Sequence, residues 1–570
     1  MLEFKGEELV KKEIERLNRM TRIISFIRLI LAVNLVVWAV CLFSLENYVL
    51  YGVLTAVSCI VMFGFIFFTN RFFKELSLNK KKANVYLLHH KRRKLDFSSF
   101  VDEGRDYLNK ADYKLSDLDI FGSKSLFQYI NVCKTKPGRD ALAKQLTDPV
   151  KKDKGFTNCI YQMAQREETL ELEAGLMEFD ESAKHINYEE FNSIFKHKIS
   201  IKPLYFLPLI SFAGMLIYFI LVLFMELPSY PLIGFVVANY VLARVCLNND
   251  VFELDAFKYY NLCEAYQSLS LRAVGQELND AYYEELKKKI TGSLGDLNRV
   301  KKIYLSLSSR RNFIANLLLN GLAVYDFWLI IVYNRMILSV QTLDELFAAI
   351  AEIEIMTSFS TLGIDHAVYA VPKENPYHIR GEEMYHPLVQ NCVCNDFLLQ
   401  GGVVLTGSNM SGKTTFMRTM GINQILFNAG SIVCAREFSS AFIPVYTSLR
   451  ANDMLSEGIS TFYAEILRMK RMNEAIQEGK CLILVDEIFK GTNAYERIQA
   501  SLKVIEKFNR YGVLFIISTH DFELCEAKNI LNYHFNEQYI EDKITFDYKI
   551  KEGMCESSNA LYLLKMSGII

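Results

Sequence analysis

Two apolar runs near the start of the chain limit its folding more than any other feature. Residues 29–45 (LILAVNLVVWAVCLFSL) and 48–69 (YVLYGVLTAVSCIVMFGFIFFT) are parted only by Glu46 and Asn47. A helix of about 22 residues rises about 33 Å, enough to cross the hydrocarbon of a bilayer. Lys11, Lys12, Arg16, Arg19, Arg22 and Arg28 precede the pair. Arg71, Lys74, Lys80, Lys81, Lys82 and Lys91-Arg92-Arg93-Lys94 follow it, and the turn between holds no basic residue. The excess of cationic flanks predicts a hairpin with both ends in the cytoplasm. A cleaved signal peptide fits less well, because the leading region is long and charged and a second span follows at once.

Residues 203–225 and 230–247 repeat the design around Glu226-Leu227-Pro228, with Lys196, Lys198 and Lys202 ahead of them and Arg244 placed to snorkel at the exit. A fifth apolar stretch, 313–333, carries Asn316, Asn320 and Asp326, which predicts a packed soluble helix with one polar side. Between the hairpins, 96–198 is charged and mostly helical in pattern. From 250 to 360, long amphipathic periodicity predicts long helices, and the runs Lys287-Lys288-Lys289 and Lys301-Lys302 read as solvated helix faces. A formal charge of −1 over 570 residues excludes a surface that clamps nucleic acid all round by counter-charge. The twelve cysteines are scattered singly, and Cys392 and Cys394 lack the spacing of a zinc or redox motif.

After Pro372 the texture changes to short β-rich runs, VVLT (403–406), CLILV (481–485) and VLFIIS (513–518), alternating with helices. That alternation predicts an α/β domain with a mainly parallel sheet. The segment Gly407-Ser408-Asn409-Met410-Ser411-Gly412-Lys413-Thr414-Thr415 follows the first of these runs and opens a helix, the setting a phosphate loop requires. Its backbone N–H groups and helix N-terminus suit phosphate. Lys413 would neutralise the β- and γ-phosphates of ATP, and the Thr414 hydroxyl would ligate Mg²⁺. An apolar strand delivers Asp486 to the same metal. The adjacent Glu487 would polarise the attacking water, which favours hydrolysis over mere binding. His520, at the end of the next strand, is a candidate γ-phosphate sensor, and Val393 and Asn395 are candidates for packing the base.

The remaining motifs complete an ordered set: Asn409-Met410 in the loop, then Gly458-Ile-Ser460-Thr-Phe462, then Asp486-Glu487 with Gly491-Thr492, then Thr519-His520. This set resembles the MutS family of mismatch-repair ATPases. Tyr385-His386-Pro387 is similar to the segment that leads into the family's ATPase. Residues 115–149, with Gly138-Arg139, are similar to the opening of its core domain, and residues 351–362 to the helix returning from its lever. The resemblance covers roughly 96–198 and 250–570. It implies a homodimer with two composite ATP sites, in which Ser460 reaches the γ-phosphate held by the opposite subunit, and it implies DNA as a partner.

The fold class expected is therefore a multidomain membrane protein. It has two α-helical transmembrane hairpins, an α-helical lever/core domain and a C-terminal α/β P-loop ATPase domain of the ABC/MutS type. Its parts are a cytoplasmic tail at 1–22, hairpins at 23–70 and 199–248, helical segments at 71–198 and 249–370, and the ATPase at 371–570. Both termini and the ATPase are expected on the cytoplasmic side of the inner membrane, with the lipid bilayer as a partner. The sequence departs from the family in several places. Membrane spans stand where a mismatch-reading domain is expected, and Phe73-Lys-Glu75 and Phe179-Asp-Glu181 match its Phe-x-Glu wedge only by accident. The second hairpin interrupts the lever region, and the end at 566–570 is without dimerisation helices. An ABC-type transporter half fits less well, for want of an LSGGQ-like signature and of charges within the spans. A scaffold merely switched by nucleotide is disfavoured by Glu487 and His520.

Overall fold

The computed structural model describes residues 1–44, 47–109, 112–179, 191, 198–225, 227–247, 256–308, 310, 312–337, 343–408, 410–450, 461–540 and 543–555. It divides into two compact units. The first comprises Met1–Asn131, Leu142–Leu170 and Met356–Ile570; the second comprises Val132–Ala141 and Glu171–Ile355.

In the first unit, helices Glu7–Ser44 and Tyr48–Arg93 run antiparallel. Their register is read from Arg28 donating to Thr69 and Asn70, Ser58 to Asn34, and Trp38 stacked on Tyr51 at 6.3 Å. Side chains along both apolar stretches point outward, among them Val33, Val36, Val40, Val53, Ile60 and Phe67. Such a surface is unfavourable in water and natural in lipid. The second helix continues without a break for 46 residues. At its far end the buried His89 bonds Asp365 through Nδ1 at 2.8 Å, and Arg93 reaches the other oxygen of Asp365 at 3.2 Å. Arg93 also donates to the Leu2 and Ile364 carbonyls.

The C-terminal part of this unit carries a six-stranded sheet of order β10-β9-β4-β8-β7-β6. Its strands are β4 (Gly402–Thr406), β6 (Val445–Ser448), β7 (Leu482–Asp486), β8 (Leu514–Ser518), β9 (Ile530–Ile540) and β10 (Lys543–Glu552). All pairings are parallel except β10 on β9. β4, β7 and β8 are apolar without alternation because helices cover both faces of a parallel sheet. A second sheet, β1 (Lys373–Glu374), β5 (Glu437–Ser440), β2 (Ile379–Met384) and β3 (Asn395–Leu399), stands in that order beside it. Residues 113–131 are bound into the same unit by the buried Asp117 and the partly exposed Asp119. Asp117 accepts from the Thr447 hydroxyl and the Leu449 N–H, while Asp119 takes Arg450 at 2.6 and 2.7 Å and Arg418 at 3.1 Å.

The second unit is helical. Leu207–Met225 and Pro231–Cys246 form an antiparallel pair, joined by Tyr218 donating to the Pro228 carbonyl. Ala256–Gly275 packs along Ala281–Ser308. On the latter, Lys287 and Lys289 are held by Glu284 and Glu285, and Lys301 donates to Gln267. Glu354 lies fully buried and takes the N–H groups of Lys134 and Thr135 at 2.8 and 3.0 Å, and also the Thr135 hydroxyl. It thereby satisfies donors at the start of helix Lys136–Thr147. A Cβ on Gly138 would fall 2.0 Å from this carboxylate, so the position admits only glycine.

One sequence expectation is corrected here. The stretch 313–333 is not one helix but two, Phe313–Ala323 and Tyr325–Ile337, set at 88°. Its Asn316, Asn320 and Asp326 are buried, so the polar side faces inward rather than to solvent. Conversely, Leu343–Asp365 has the length and apolar composition of a span but is 89 % buried across its most apolar window, and is an interior helix.

Candidate phosphate-loop active site

β4 is buried along its whole length and ends at Thr406, and the chain then turns sharply through Gly407 at φ 143° and Gly412 at φ 107°. A Cβ on Gly407 would meet the Phe535 carbonyl at 2.8 Å, which explains the glycine. Helix Lys413–Asn428 starts at once. Lys413 is buried, and burial lowers the pKa of its ammonium. Its Nζ donates to the carbonyls of Gly407 and Ser408 at 2.8 and 2.9 Å, folded onto the loop it must leave to reach a phosphate. The hydroxyls of Ser408 and Ser411 are buried without a hydrogen-bond partner. Buried hydroxyls in that condition are costly unless a ligand completes them, and phosphate oxygens would.

The ends of β7 and β8 bring the acidic residues to this loop. Asp486 accepts from the Thr414 hydroxyl at 2.8 Å and, on its other oxygen, from the Ser518 hydroxyl. Two hard oxygen donors side by side at the mouth of a phosphate loop fit Mg²⁺, which prefers a carboxylate or two together with substrate phosphates. Glu487 follows with φ 56°, a left-handed backbone that costs energy in a residue with a side chain. Its N–H is held by the Ser518 carbonyl at 3.0 Å. Its carboxylate takes His520 Nε2 at 3.3 Å and lies 3.6 Å from Lys490. The hydrogen bond from His520, with Lys490, His520 and Lys413 adding charge, holds the Glu487 pKa down at about 2. The group is an ionised acceptor at neutral pH.

These groups line one cavity of about 710 Å³, with Ser408, Met410, Ser411, Gly412, Lys413, Thr414, Thr415, Asp486 and Glu487 at its phosphate end. His520 is tied to it through Glu487. Asn409 and Ser460 lie outside the described residues; Phe462, just beyond Ser460, packs on Phe489 at 6.2 Å and over Gly491.

Val393 and Asn395 line the same cavity, together with a residue that sequence reasoning missed, Tyr548, whose ring lies 3.2 Å from where a Cβ on Gly412 would stand. Asn395 does not offer its amide to a ligand. It donates to the Tyr548 carbonyl at 3.0 Å and accepts from the Ile550 N–H at 2.9 Å. It thus pins an irregularity in β10 between Phe546 and Ile550, where Tyr548 takes φ 52° and turns over the cavity. Sequence shows only the even alternation Ile544, Phe546, Tyr548, Ile550, which reads as a plain strand.

The arrangement can bind a nucleoside triphosphate, neutralise its phosphates and orient a water against the terminal one. Known proteins agree. The family profile described as MutS domain V matches residues 403–569. The DNA mismatch repair protein MutS of Aquifex pyrophilus is 29 % identical over 237 residues, which is 39 % of this chain and 27 % of that protein. The match therefore spans about a quarter of that relative's length.

Proposed function

We propose that this chain is a membrane-anchored ATPase of the MutS family that couples ATP binding and hydrolysis to closure of a homodimer on DNA. The observation that carries the reading is Glu487, ionised and fixed by His520 beside the Lys413–Thr414–Asp486 cluster in one cavity. DNA enters from the name of the Aquifex pyrophilus relative and from the motif set. The anchor enters from the apolar outward faces of the two helical hairpins, and with it a site of action at the cytoplasmic face of the membrane.

Incoming phosphates displace the Lys413 ammonium from the carbonyls of Gly407 and Ser408, and the Ser408 and Ser411 hydroxyls gain acceptors. Mg²⁺, when held by Thr414 and Asp486, supplies charge neutralisation at the β- and γ-phosphates. Glu487 accepts a hydrogen bond from the attacking water and orients it in line with the γ-phosphorus. His520 keeps that carboxylate ionised and aimed. Ser460, from the partner subunit, completes the site, so that ATP draws two subunits together and loss of phosphate releases them.

Glu487→Gln keeps the shape and removes the charge. It is expected to bind ATP and accumulate as a closed dimer, with turnover reduced about 10²–10⁴-fold. Size-exclusion chromatography in detergent with ATP, alongside phosphate release, measures both; unchanged turnover would remove Glu487 from this role.

A further inference from the structure

Beside the second hairpin lies a helix with its polarity reversed. In Phe313–Ala323 the polar side chains face inward and bond one another. Asn316 donates to the Arg310 carbonyl at 3.1 Å, Asn320 donates to Asn316 at 2.6 Å, and Asp326 pairs with Arg310 at 2.9 Å. The outward stripe is Ile314, Leu318 and Leu322, at 67, 49 and 52 % exposure, with Phe313 beside it. A helix facing water has these faces the other way round.

Its depth is set by its neighbour. The Gly321 carbonyl accepts from the buried Asn239 amide at 3.0 Å, and Asn239 stands halfway along Pro231–Cys246. A Cβ on Gly321 would lie 2.6 Å from Val236, so the small residue is what lets the two backbones approach. The ring of Phe313 rests on Tyr240 at 6.0 Å. The break after Ala323 leaves few backbone groups unpaired: Val324 donates back to Asn320 and Leu319, and the Asn320 side chain takes the Asp326 N–H at 2.9 Å. Irregular backbone is tolerated at membrane depth only when protein satisfies it in this way. Beyond the break, Phe327 contacts Phe206 at 5.7 Å, and Asn334 exchanges two hydrogen bonds with Ile199, both at the start of the hairpin.

Topology excludes a full crossing. Met1–Asn131 and Met356–Ile570 belong to one compact unit, joined by bonds such as His89 to Asp365 and Asp119 to Arg450. Outside the first hairpin, the parts so joined must lie on one side of a membrane, so the chain between Asn131 and Met356 crosses an even number of times. The hairpin accounts for two crossings, and a third is forbidden.

Resting on the reading of residues 203–246 as a membrane hairpin, we propose that Phe313–Ala323 is a half-crossing helix. It enters the bilayer against the return leg of that hairpin, with lipid acyl chains covering Ile314, Leu318 and Leu322. The return leg has only 16 residues, which rise about 24 Å against a hydrocarbon core of about 30 Å. A helix wedged against it covers part of what so short a leg leaves in lipid.

The chain has two tryptophans, Trp38 and Trp328, which makes the test direct. In a Trp38→Phe, Trp328→Phe background, Leu318→Trp reports on the half-crossing helix and Phe219→Trp on the hairpin. Ile314→Trp serves as a second reporter should Leu318→Trp fail to retain ATPase activity. Each protein is reconstituted into vesicles of phosphatidylcholine with or without brominated acyl chains and titrated with aqueous iodide. The proposal expects brominated lipid to quench Leu318→Trp as strongly as Phe219→Trp, with iodide quenching neither. Quenching of Leu318→Trp by iodide, with Phe219→Trp still quenched by lipid, overturns the half-crossing helix alone. Shielding of Leu318→Trp from both quenchers also overturns it, and indicates a face covered by protein. Failure of lipid to quench Phe219→Trp overturns the hairpin reading and the proposal with it.

Discussion

Glu487 is held in a left-handed backbone at the end of β7, and the strain persists because the Ser518 carbonyl and His520 fix it at both ends. Removing His520 takes away the largest influence that keeps the carboxylate acidic. His520→Ala should therefore raise the Glu487 pKa. More of the carboxylate is then protonated as pH falls, and an acid limb absent from the parent enters the kcat profile. Turnover at neutral pH should fall about tenfold or more. Rate measurements between pH 5 and 8 check both. Tyr548→Ala removes an aromatic ring that lines the cavity beside Val393 and Asn395. Stacking of a base on an aromatic ring is worth ~1–3 kcal/mol, so KM for ATP should rise about tenfold while kcat changes little. The phosphate-end residues were legible because their chemistry demands fixed types at fixed spacing. Tyr548 was not, because its role arises from a local slip of strand register that leaves no mark on residue type.

At the scale of elements, the strands at 403–406, 481–485 and 513–518 were readable within a residue or so, since an apolar run flanked by a phosphate loop or an acidic pair has few other forms. The break at Val324 was unreadable. Neither glycine nor proline stands there, and the left-handed φ of 48° is imposed by the Asn320–Asp326–Arg310 network around it. Glu354 makes a similar point. Its place in an apolar helix hides its work as a remote cap on Lys136–Thr147. Burial raises its pKa from 4.5 to about 7, so between these values the native state holds a proton that the unfolded chain has lost. The stability it contributes is complete below pH 4.5 and is lost as pH rises through about 7. Thermal unfolding in detergent should show that decline, and Glu354→Gln should flatten it.

For the whole molecule, the decisive question is whether the ATP sites are completed between subunits. Ser460→Ala and Lys413→Ala subunits are each expected to be inactive alone. Mixed, they should recover about a quarter of the parent's turnover, because half the dimers are heterodimers and each carries one intact site built from both chains. No recovery on mixing would place all catalytic groups within one chain. The apolar helix pairs and the ATPase were legible from hydropathy and motifs, whereas the assignment of segments to two compact units was not. Among the contacts that join the segments of the first unit are Asp119 with Arg450 and His89 with Asp365, whose partners lie hundreds of residues apart.

One helix, Tyr48–Arg93, runs from the first hairpin's turn to the Asp365 clamp with no proline, no break and no joint. A rod pinned at one end cannot lean at the other without pulling on its pin. Next to Asp365, His366 presses its ring on Tyr385, whose neighbours His386 and Pro387 lead toward the nucleotide cavity. If the first hairpin is set in a bilayer as proposed, a change in bilayer thickness alters how far such a rod must lean and so pulls on the segment that leads toward the nucleotide cavity.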